Sequence, residues 1–282
     1  QGLVENVQII SDELVSNGNF SQEGSELITN ENWYSHRGGD FTINENIIYI
    51  ENVGNTYGGI EQSFNVTANK IFKLTYNLTQ GATSTDWRVE IGSTQGASDL
   101  YSKGQISDFT ENTAITSNSS QIWIRIYNNT PTIGDNFSID NVSVKEVGQD
   151  WTFGNATIGN DLVLLDADSA NAQITQSNLG STNSTAKLIT FTTLSSSDEV
   201  SQILRISQNI AGSGVNIYTD DNGINLSEVG THRVTIQKNT STNDTIFIRL
   251  NSGANREVSI TNISIKEITD DTDLPRIDYT DG

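Results

Sequence analysis

Two stretches of the chain, FSIDNVSVKEV ending at Val147 and VSITNISIKEI ending at Ile268, are near copies of each other. Lys145 and Lys266 lie 121 positions apart; six of the eleven positions are identical and four of the rest exchange one apolar residue for another. The exception is Asp140, which becomes Thr261. A repeat of this length means two tandem domains, because solenoid units run only about 20–50 residues. Inside each copy the period-two alternation slips. Phe137 and Ile139 are odd-numbered and Val142 and Val144 even, with the same slip across Val258, Ile260, Ile263 and Ile265. For both pairs to face one core, one extra residue must be absorbed at Asp140-Asn141 and at Thr261-Asn262, which is the signature of a β-bulge.

The segments before each copy also run in parallel. IFKLTYNLT, DWRVEIGS and QIWIRIYNN in the first half are answered by AKLITFTTLS, QILRISQ and TIFIRLNSG in the second. Alternation in these runs places Trp87, Val89, Ile91, Ile122, Ile124 and Ile126 inward. Turn signals fall between them, at Ala68-Asn69-Lys70 and at the hairpin dipeptide Asn222-Gly223. SSSDEVSQIL spaces Val200, Ile203 and Leu204 as a helix would, but its length suits a loop or single turn entering a strand. The expected fold is all-β, with two tandem antiparallel β-sandwiches. The expected boundaries are a lead-in over 1–10, a first domain over 11–147, a second over 148–268 and an acidic linker over 269–282 leading to a missing C-terminal region. A shorter echo, SDELVSN ending at Asn17 and GSELITN ending at Asn30, offers two candidates for one first strand. One of them must lie beside the other or lead in from elsewhere.

Composition narrows the chemistry. Fifteen Lys and Arg against 35 Asp and Glu give a formal charge of −20, which repels phosphate backbones and argues against a nucleic-acid partner. The absence of cysteine excludes disulfides, thiolate metal sites and cysteine nucleophiles. No apolar run approaches the roughly 18 residues of a membrane-spanning helix, so membrane insertion is not expected. Without a methionine, the chain reads as a processed product or a fragment. No G-x-S-x-G, H-E-x-x-H or phosphate-cradling loop occurs, and the only histidines are His36 and His232. The carboxylate pairs Asp166/Asp168, Asp220/Asp221 and Asp270/Asp271 fall in turns or the linker. No enzymatic activity is expected. The sequons at Asn65, Asn77 and Asn141 arise by chance in a chain this rich in Asn, Ser and Thr.

ELVSNGNF near the start and FSIDNVSVKEV resemble the bounding strands of the jelly-roll carbohydrate-binding modules found in polysaccharide-degrading enzymes. Copies of that module recur in bacteriophage tail and virion proteins. QGLVENV, FSQEGSELITN, VGQDWTFGNATIG and LPRIDYTDG resemble phrases of phage structural proteins, in which the last leads into a lectin-like domain. The resemblance implies a jelly-roll fold, a virion or extracellular setting, other virion proteins and a homo-oligomer as partners, and host cell-surface polysaccharide as ligand. It also implies a structural calcium in the first domain only, held by Asn17, Asn19, Glu23 and Asp140. Calcium needs six to eight oxygens, so backbone carbonyls would have to complete that set. The competing reading is that Asp140 caps a bulge.

A sugar site needs flat aromatic faces beside hydrogen-bonding charges. Trp123, Arg125 and Tyr127 share one strand face, as do Arg88 and Glu90, and together they form a patch opposite the core if the two strands share a sheet. Trp33 and Tyr34, on a loop at the sandwich edge, would extend it. The second domain answers with Arg205 and Ser207, then Phe247, Arg249 and Asn251, a set with weaker aromatics. The bland alternatives are that Arg88 and Glu90 are a solvated pair worth under about 1 kcal/mol and that Trp123 belongs to a second core. Three functions therefore stay open: glycan adhesion from a virion, a purely structural spacer, and the targeting part of a secreted polysaccharide-degrading enzyme.

Overall fold

The computed structural model describes residues 8–29, 31–54, 56–80, 86–105, 109–159, 161–179, 185–207, 216–236 and 245–269. The acidic linker from 270 onward and most of the expected lead-in lie outside them. The described regular structure is all strand, and it divides into two compact units.

The unit Glu23–Val147 contains β1 (Glu23–Glu26), β2 (Tyr34–His36), β3 (Gly39–Asn44), β4 (Ile47–Asn52), β5 (Gly59–Asn65), β6 (Lys70–Gln80), β7 (Trp87–Gly92), β8 (Tyr101–Gln105), β9 (Phe109–Ser117), β10 (Gln121–Asn128) and β11 (Asn136–Val147). One antiparallel sheet runs β3-β4-β11-β6-β9, with β1 added on β11, and the other runs β2-β5-β10-β7-β8. Between them lie the residues that alternation places inward: Trp87, Val89, Ile91, Ile122, Ile124, Ile126, Phe137 and Ile139 are buried. Each large apolar side chain removed from water there is worth about 1.5–3 kcal/mol, so the alternation itself specifies the register.

The other unit contains β12 (Thr152–Gly154), β13 (Ala156–Gly159), β14 (Leu162–Asp166), β15 (Ala172–Ser177), β16 (Ala186–Ser196), β17 (Leu204–Ser207), β18 (Gly230–Ile236), β19 (Thr245–Leu250) and β20 (Glu257–Ile268). Its sheets run β12-β15-β19-β17 and β13-β14-β20-β16-β18. Residues 197–203 form the expected irregular entry to β17. At Asn222-Gly223 the chain turns tightly, with Gly223 at φ +81 and its N–H donating to Asp220 O at 3.0 Å.

Both closing strands carry the bulge. Along β11 the register steps from Asp140↔Asn77 to Ser143↔Thr75, three residues against two, and Asn141 sits at φ 53. Along β20 it steps from Thr261↔Thr192 to Ser264↔Thr190, with Asn262 at φ 53. Asparagine tolerates this left-handed backbone better than most residues, which accounts for the Asn retained in both copies. Before its bulge β11 pairs with β4, and after it the same edge pairs with β1. The bulge marks that hand-over.

The structure corrects the expected domain boundary. Residues up to Gln22 belong with the second sandwich, so in chain order the first sandwich is nested within the second. Ile10 N donates to Glu267 O at 3.0 Å and Leu14 N to Ile265 O at 2.9 Å, which puts the first echo against β20. Leu27 N donates to Val144 O at 3.0 Å, which puts the second against β11. The glutamate of each echo makes the same clamp. Glu13 accepts from Ile265 N at 2.6 Å and Ser264 Oγ at 2.5 Å, and Glu26 accepts from Val144 N at 2.7 Å and Ser143 Oγ at 2.6 Å. A glutamine clasp repeats as well. Gln176 accepts from Ser16 N at 3.1 Å and donates to Ser16 O at 2.9 Å, while Gln62 accepts from Thr29 N at 3.1 Å and donates to Thr29 O at 2.8 Å.

Glu13→Ala is expected to speed amide hydrogen exchange in β14, β16 and β20, and Glu26→Ala in β4, β6 and β11, each by about 1–3 kcal/mol of lost protection. Exchange mass spectrometry checks it, and a Glu13 effect confined to the first sandwich would contradict the nesting.

Candidate functional site

The sheet β2-β5-β10-β7-β8 shows one face to the core, and the other carries the candidate site. In antiparallel pairing, residues directly opposite each other share a face. Trp123 stands between Ser63 and Gly92, Arg125 between Glu61 and Glu90, and Tyr127 between Gly59 and Arg88. On the edge strand, Tyr34 stands opposite Glu61 and His36 opposite Gly59. Trp123, Arg125, Tyr127, Arg88, Glu90 and Tyr34 thus share one face, as the sequence pattern predicts for the first five.

Trp33 does not join them. Alternation along β2 turns Tyr34 outward, at 62% exposed, and the residue before it inward, so Trp33 is 5% exposed among the core side chains. Sequence reasoning also missed His36 and Glu61. Only strand pairing brings them beside Arg125, and the sequence signal available for Glu61 was its alternation with Ile60 and Phe64.

This face is recessed. Side-chain exposures of Glu90, Arg125, Glu61 and His36 are only 6%, 13%, 11% and 12%, so within the expected Arg88–Glu90 pair the glutamate is buried while Arg88 stays at the surface. An Arg125 terminal nitrogen donates to Glu90 Oε2, Tyr127 OH donates to Glu90 Oε1 at 3.0 Å, and Arg88 lies 3.9 Å from the same oxygen. Across Arg125, Glu61 faces His36 Nδ1 at 3.2 Å and accepts from Gln95 Nε2 at 2.5 Å. The Arg125 guanidinium sits 5.1 Å from the Tyr127 ring centroid, and the His36 ring 5.9 Å from it.

Part of the enclosure comes from the loop between β7 and β8. Gly92 permits it: a Cβ there would meet Ala97 O at 2.4 Å, so only glycine lets the loop fold back over the strand end. Asp99 anchors the loop by accepting from Ser93 Oγ at 2.7 Å and Ser93 N at 2.9 Å, and those bonds hold its carboxyl below the usual carboxylate range. Gln95 then reaches Glu61 from above the sheet.

Burial pushes the His36 imidazole below its ordinary range, opposed by Glu61 and aided by Arg125 and Arg37. Neutral His36 donates its Nδ1–H to the Glu61 carboxylate. Burial and the charge of Glu90 push the Tyr127 phenol up, so it stays a hydrogen-bond donor at neutral pH. The resulting floor of fixed donors and acceptors needs little rearrangement to meet a polar ligand.

Of the four expected calcium ligands, Asn17 and Asn19 belong to the second sandwich's unit and Glu23 and Asp140 to the first. Within the first, Glu23 pairs with Val147, seven residues along β11 from Asp140 and so roughly 20 Å away. Glu23 is also occupied, by Lys73 Nζ at 2.7 Å and Lys145 Nζ at 3.1 Å, and hydrogen bonds from these lysines lower its pKa. Asn17 and Asn19 turn their side-chain oxygens to Gln22 N and Ser21 N. Glu23 and Asp140 therefore do not share one cation site.

No protein-family model matches the chain, and no curated protein matches it. Among solved structures, the chain is similar to a CBM4 structure at 14% identity and a TM-score of 0.35, over 46% of this chain and 98% of that one. It is similar to the N-terminal CBM22 tandem of a Paenibacillus barcinonensis protein at 9% identity and a TM-score of 0.33, over 92% of this chain and 99% of that one. A family 11 carbohydrate-binding module from Clostridium thermocellum, solved with a β-1,3-1,4-mixed-linked tetrasaccharide, matches at 18% identity and a TM-score of 0.29, over 45% of this chain and 96% of that one. At TM-scores this low the likenesses carry no argument about what this chain binds.

Two outcomes are expected from the floor itself. Glu90→Ala strands the buried Arg125 charge and should cost about 3–5 kcal/mol in urea unfolding, with Glu90→Gln costing less. Because folding lowers the His36 pKa, the unfolded chain binds that proton more readily. Stability from His36 is therefore complete above the unfolded pKa of about 6.5 and declines as pH falls through the folded value. Titrating the His36 ring by NMR and comparing the pH dependence of unfolding with that of His36→Gln measures it.

Proposed function

We propose that the recessed face of the first sandwich binds a neutral polysaccharide segment without cleaving it. The observation that carries this reading is Trp123 standing on that face beside the buried floor of Arg125, Glu90, Tyr127, Glu61 and His36. Its cross-strand neighbours Ser63 and Gly92 are small, and on the Gly92 side the β7–β8 loop lies against the strand at Ala97. An aromatic face with its negative quadrupole stacks on the C–H face of a sugar ring, and paired carboxylates and a guanidinium hydrogen-bond to its hydroxyls. Tyr34 and Arg88, exposed at the rim, extend the contact along the chain direction of the ligand.

Glu61 and Glu90 flank Arg125 from neighbouring strands, and a pair of carboxylates is what a glycosidase would use. Each is already engaged by a ring, guanidinium or amide donor, an arrangement that supports holding hydroxyls over protonating a glycosidic oxygen. The resemblance of the flanking phrases to phage structural proteins supports a virion component that adheres to host-surface glycans, with weak single sites multiplied by copy number. A targeting module of a polysaccharide-degrading enzyme would use the same face in the same way.

Trp123→Ala is expected to lower affinity for the bound glycan by about tenfold or more, with the unfolding midpoint nearly unchanged. A glycan array followed by calorimetry on the best neutral oligosaccharide measures this, and an assay for new reducing ends tests the absence of cleavage. Silence of a folded sample across neutral plant, bacterial and algal glycans would leave the sandwich a spacer.

A further inference from the structure

The two sandwiches carry the same strands at the same register but opposite charge at the centre of the outward face. In the first, the row across β5, β10 and β7 reads Glu61, Arg125, Glu90. In the second, the row across β15, β19 and β17 reads Gln173, Arg249, Arg205. Arg249 answers Arg125 in the matched runs QIWIRIYNN and TIFIRLNSG. Strand pairing sets Glu90 opposite Arg125 and Arg205 opposite Arg249, so Arg205 takes the place of Glu90 and not that of Arg88, which the order of the two runs suggests. One base held between two acids has become two bases beside a neutral amide.

Like charges directly opposite on neighbouring strands are destabilising. Among the described residues neither Arg205 nor Arg249 has an ion pair. Arg205 donates to Tyr218 OH at 3.4 Å, and the Nε of each arginine is buried without a hydrogen-bond partner. Phe247, which answers Trp123, is itself buried, so this face has lost the stacking surface and gained uncompensated positive charge.

We propose that the Arg205–Arg249 pair on the second sandwich is a binding site for an anionic sugar, with the oxyanion of a uronate or a sulfate ester lying between the two guanidinium groups. Two planar forks suit the flat geometry of a carboxylate and the oxygens of a sulfate ester. Tyr218, Gln173 and Thr175 supply neutral hydrogen-bonding groups from the same sheet face and its margin for the ring hydroxyls. Assigning a sugar as the carrier of the oxyanion rests on the glycan reading of the first sandwich; the charge selectivity does not. The chain's formal charge of −20 repels a polyanion at long range. At physiological salt that field is screened beyond about 8 Å, so the pair acts as a contact site for one charged residue of a glycan, not a collector of polyanions.

The test is calorimetry of the full chain at physiological ionic strength with trigalacturonic acid, with a sulfated galactose disaccharide, with inorganic sulfate and with xylotriose. The variants are Arg205→Glu, Arg249→Gln and Trp123→Ala. Arg205→Glu rebuilds the alternation of the first sandwich at that register, so it is expected to fold, and circular dichroism and the unfolding midpoint check this. The expected result is binding of at least one anionic oligosaccharide, weakened about tenfold or more by either arginine variant and by added NaCl, and unchanged by Trp123→Ala. Whichever anionic sugar binds identifies the oxyanion. The proposal is overturned if folded wild-type chain binds neither anionic sugar, if the arginine variants bind them as tightly as wild type, or if inorganic sulfate binds as tightly as the sugars. Loss of neutral-glycan binding, read separately through Trp123→Ala, bears on the first sandwich alone.

Discussion

A glutamate reaching the backbone of a closing strand organises each half of this protein. Glu13 and Glu26 each accept from the main-chain N–H and the serine hydroxyl just beyond the bulge. A closing strand changes edge partner at its bulge, and the displaced backbone there would otherwise leave an N–H unsatisfied, at about 1–3 kcal/mol if buried. A carboxylate from the incoming first strand answers it while fixing that strand's position. The glutamine clasps on Ser16 and Thr29 hold the same segments from the opposite sheet. First strand, closing strand and second sheet are thereby tied at one corner of each sandwich.

This constraint explains the nesting. A first strand docks wherever a closing strand presents the matching Ser and N–H, and two such strands precede two such sites. The inner echo docks on β11 and the outer one on β20, so in chain order the whole first sandwich falls between the first strand of the second sandwich and the rest of it. Tandem order would have required the second sandwich to find its own first strand after Val147, where the chain instead supplies Trp151. The Trp151 indole N–H donates to the carbonyls of Ser16 and Asn17, which secures the returning chain to the outer first strand.

With the corner held by conserved chemistry between the two copies, the outward faces are free to differ. Nothing in the clamp, the clasp or the bulge involves Arg125, Glu90, Arg205 or Arg249. The same scaffold therefore carries a charge-balanced recess in one copy and an arginine pair in the other. Asp140 and Thr261, the mismatch within the repeat, turn out to mark a turn contact: Thr261 donates to Asp161 O at 2.8 Å in the second sandwich, and Asp140 makes no such bond among the described residues. The chemistry that separates the two copies lies on other strands.

Local pattern by itself determined the paired runs that form β5, β6, β7, β10 and β11 and their counterparts β16, β17, β19 and β20, their inward faces, both bulges and the face shared by Trp123, Arg125, Tyr127, Arg88 and Glu90. Each of these follows from period-two alternation, which is a property of neighbours in the chain. Tertiary structure decided what depends on distant partners. Which echo serves which sandwich rests on hydrogen bonds spanning most of the chain. Trp33 falls into the core and His36 into the site because β2 pairs with β5. Glu23 pairs at the far end of β11 from Asp140, so those two expected calcium ligands do not meet. Alternation says which way a side chain points, but only strand pairing says what it meets there.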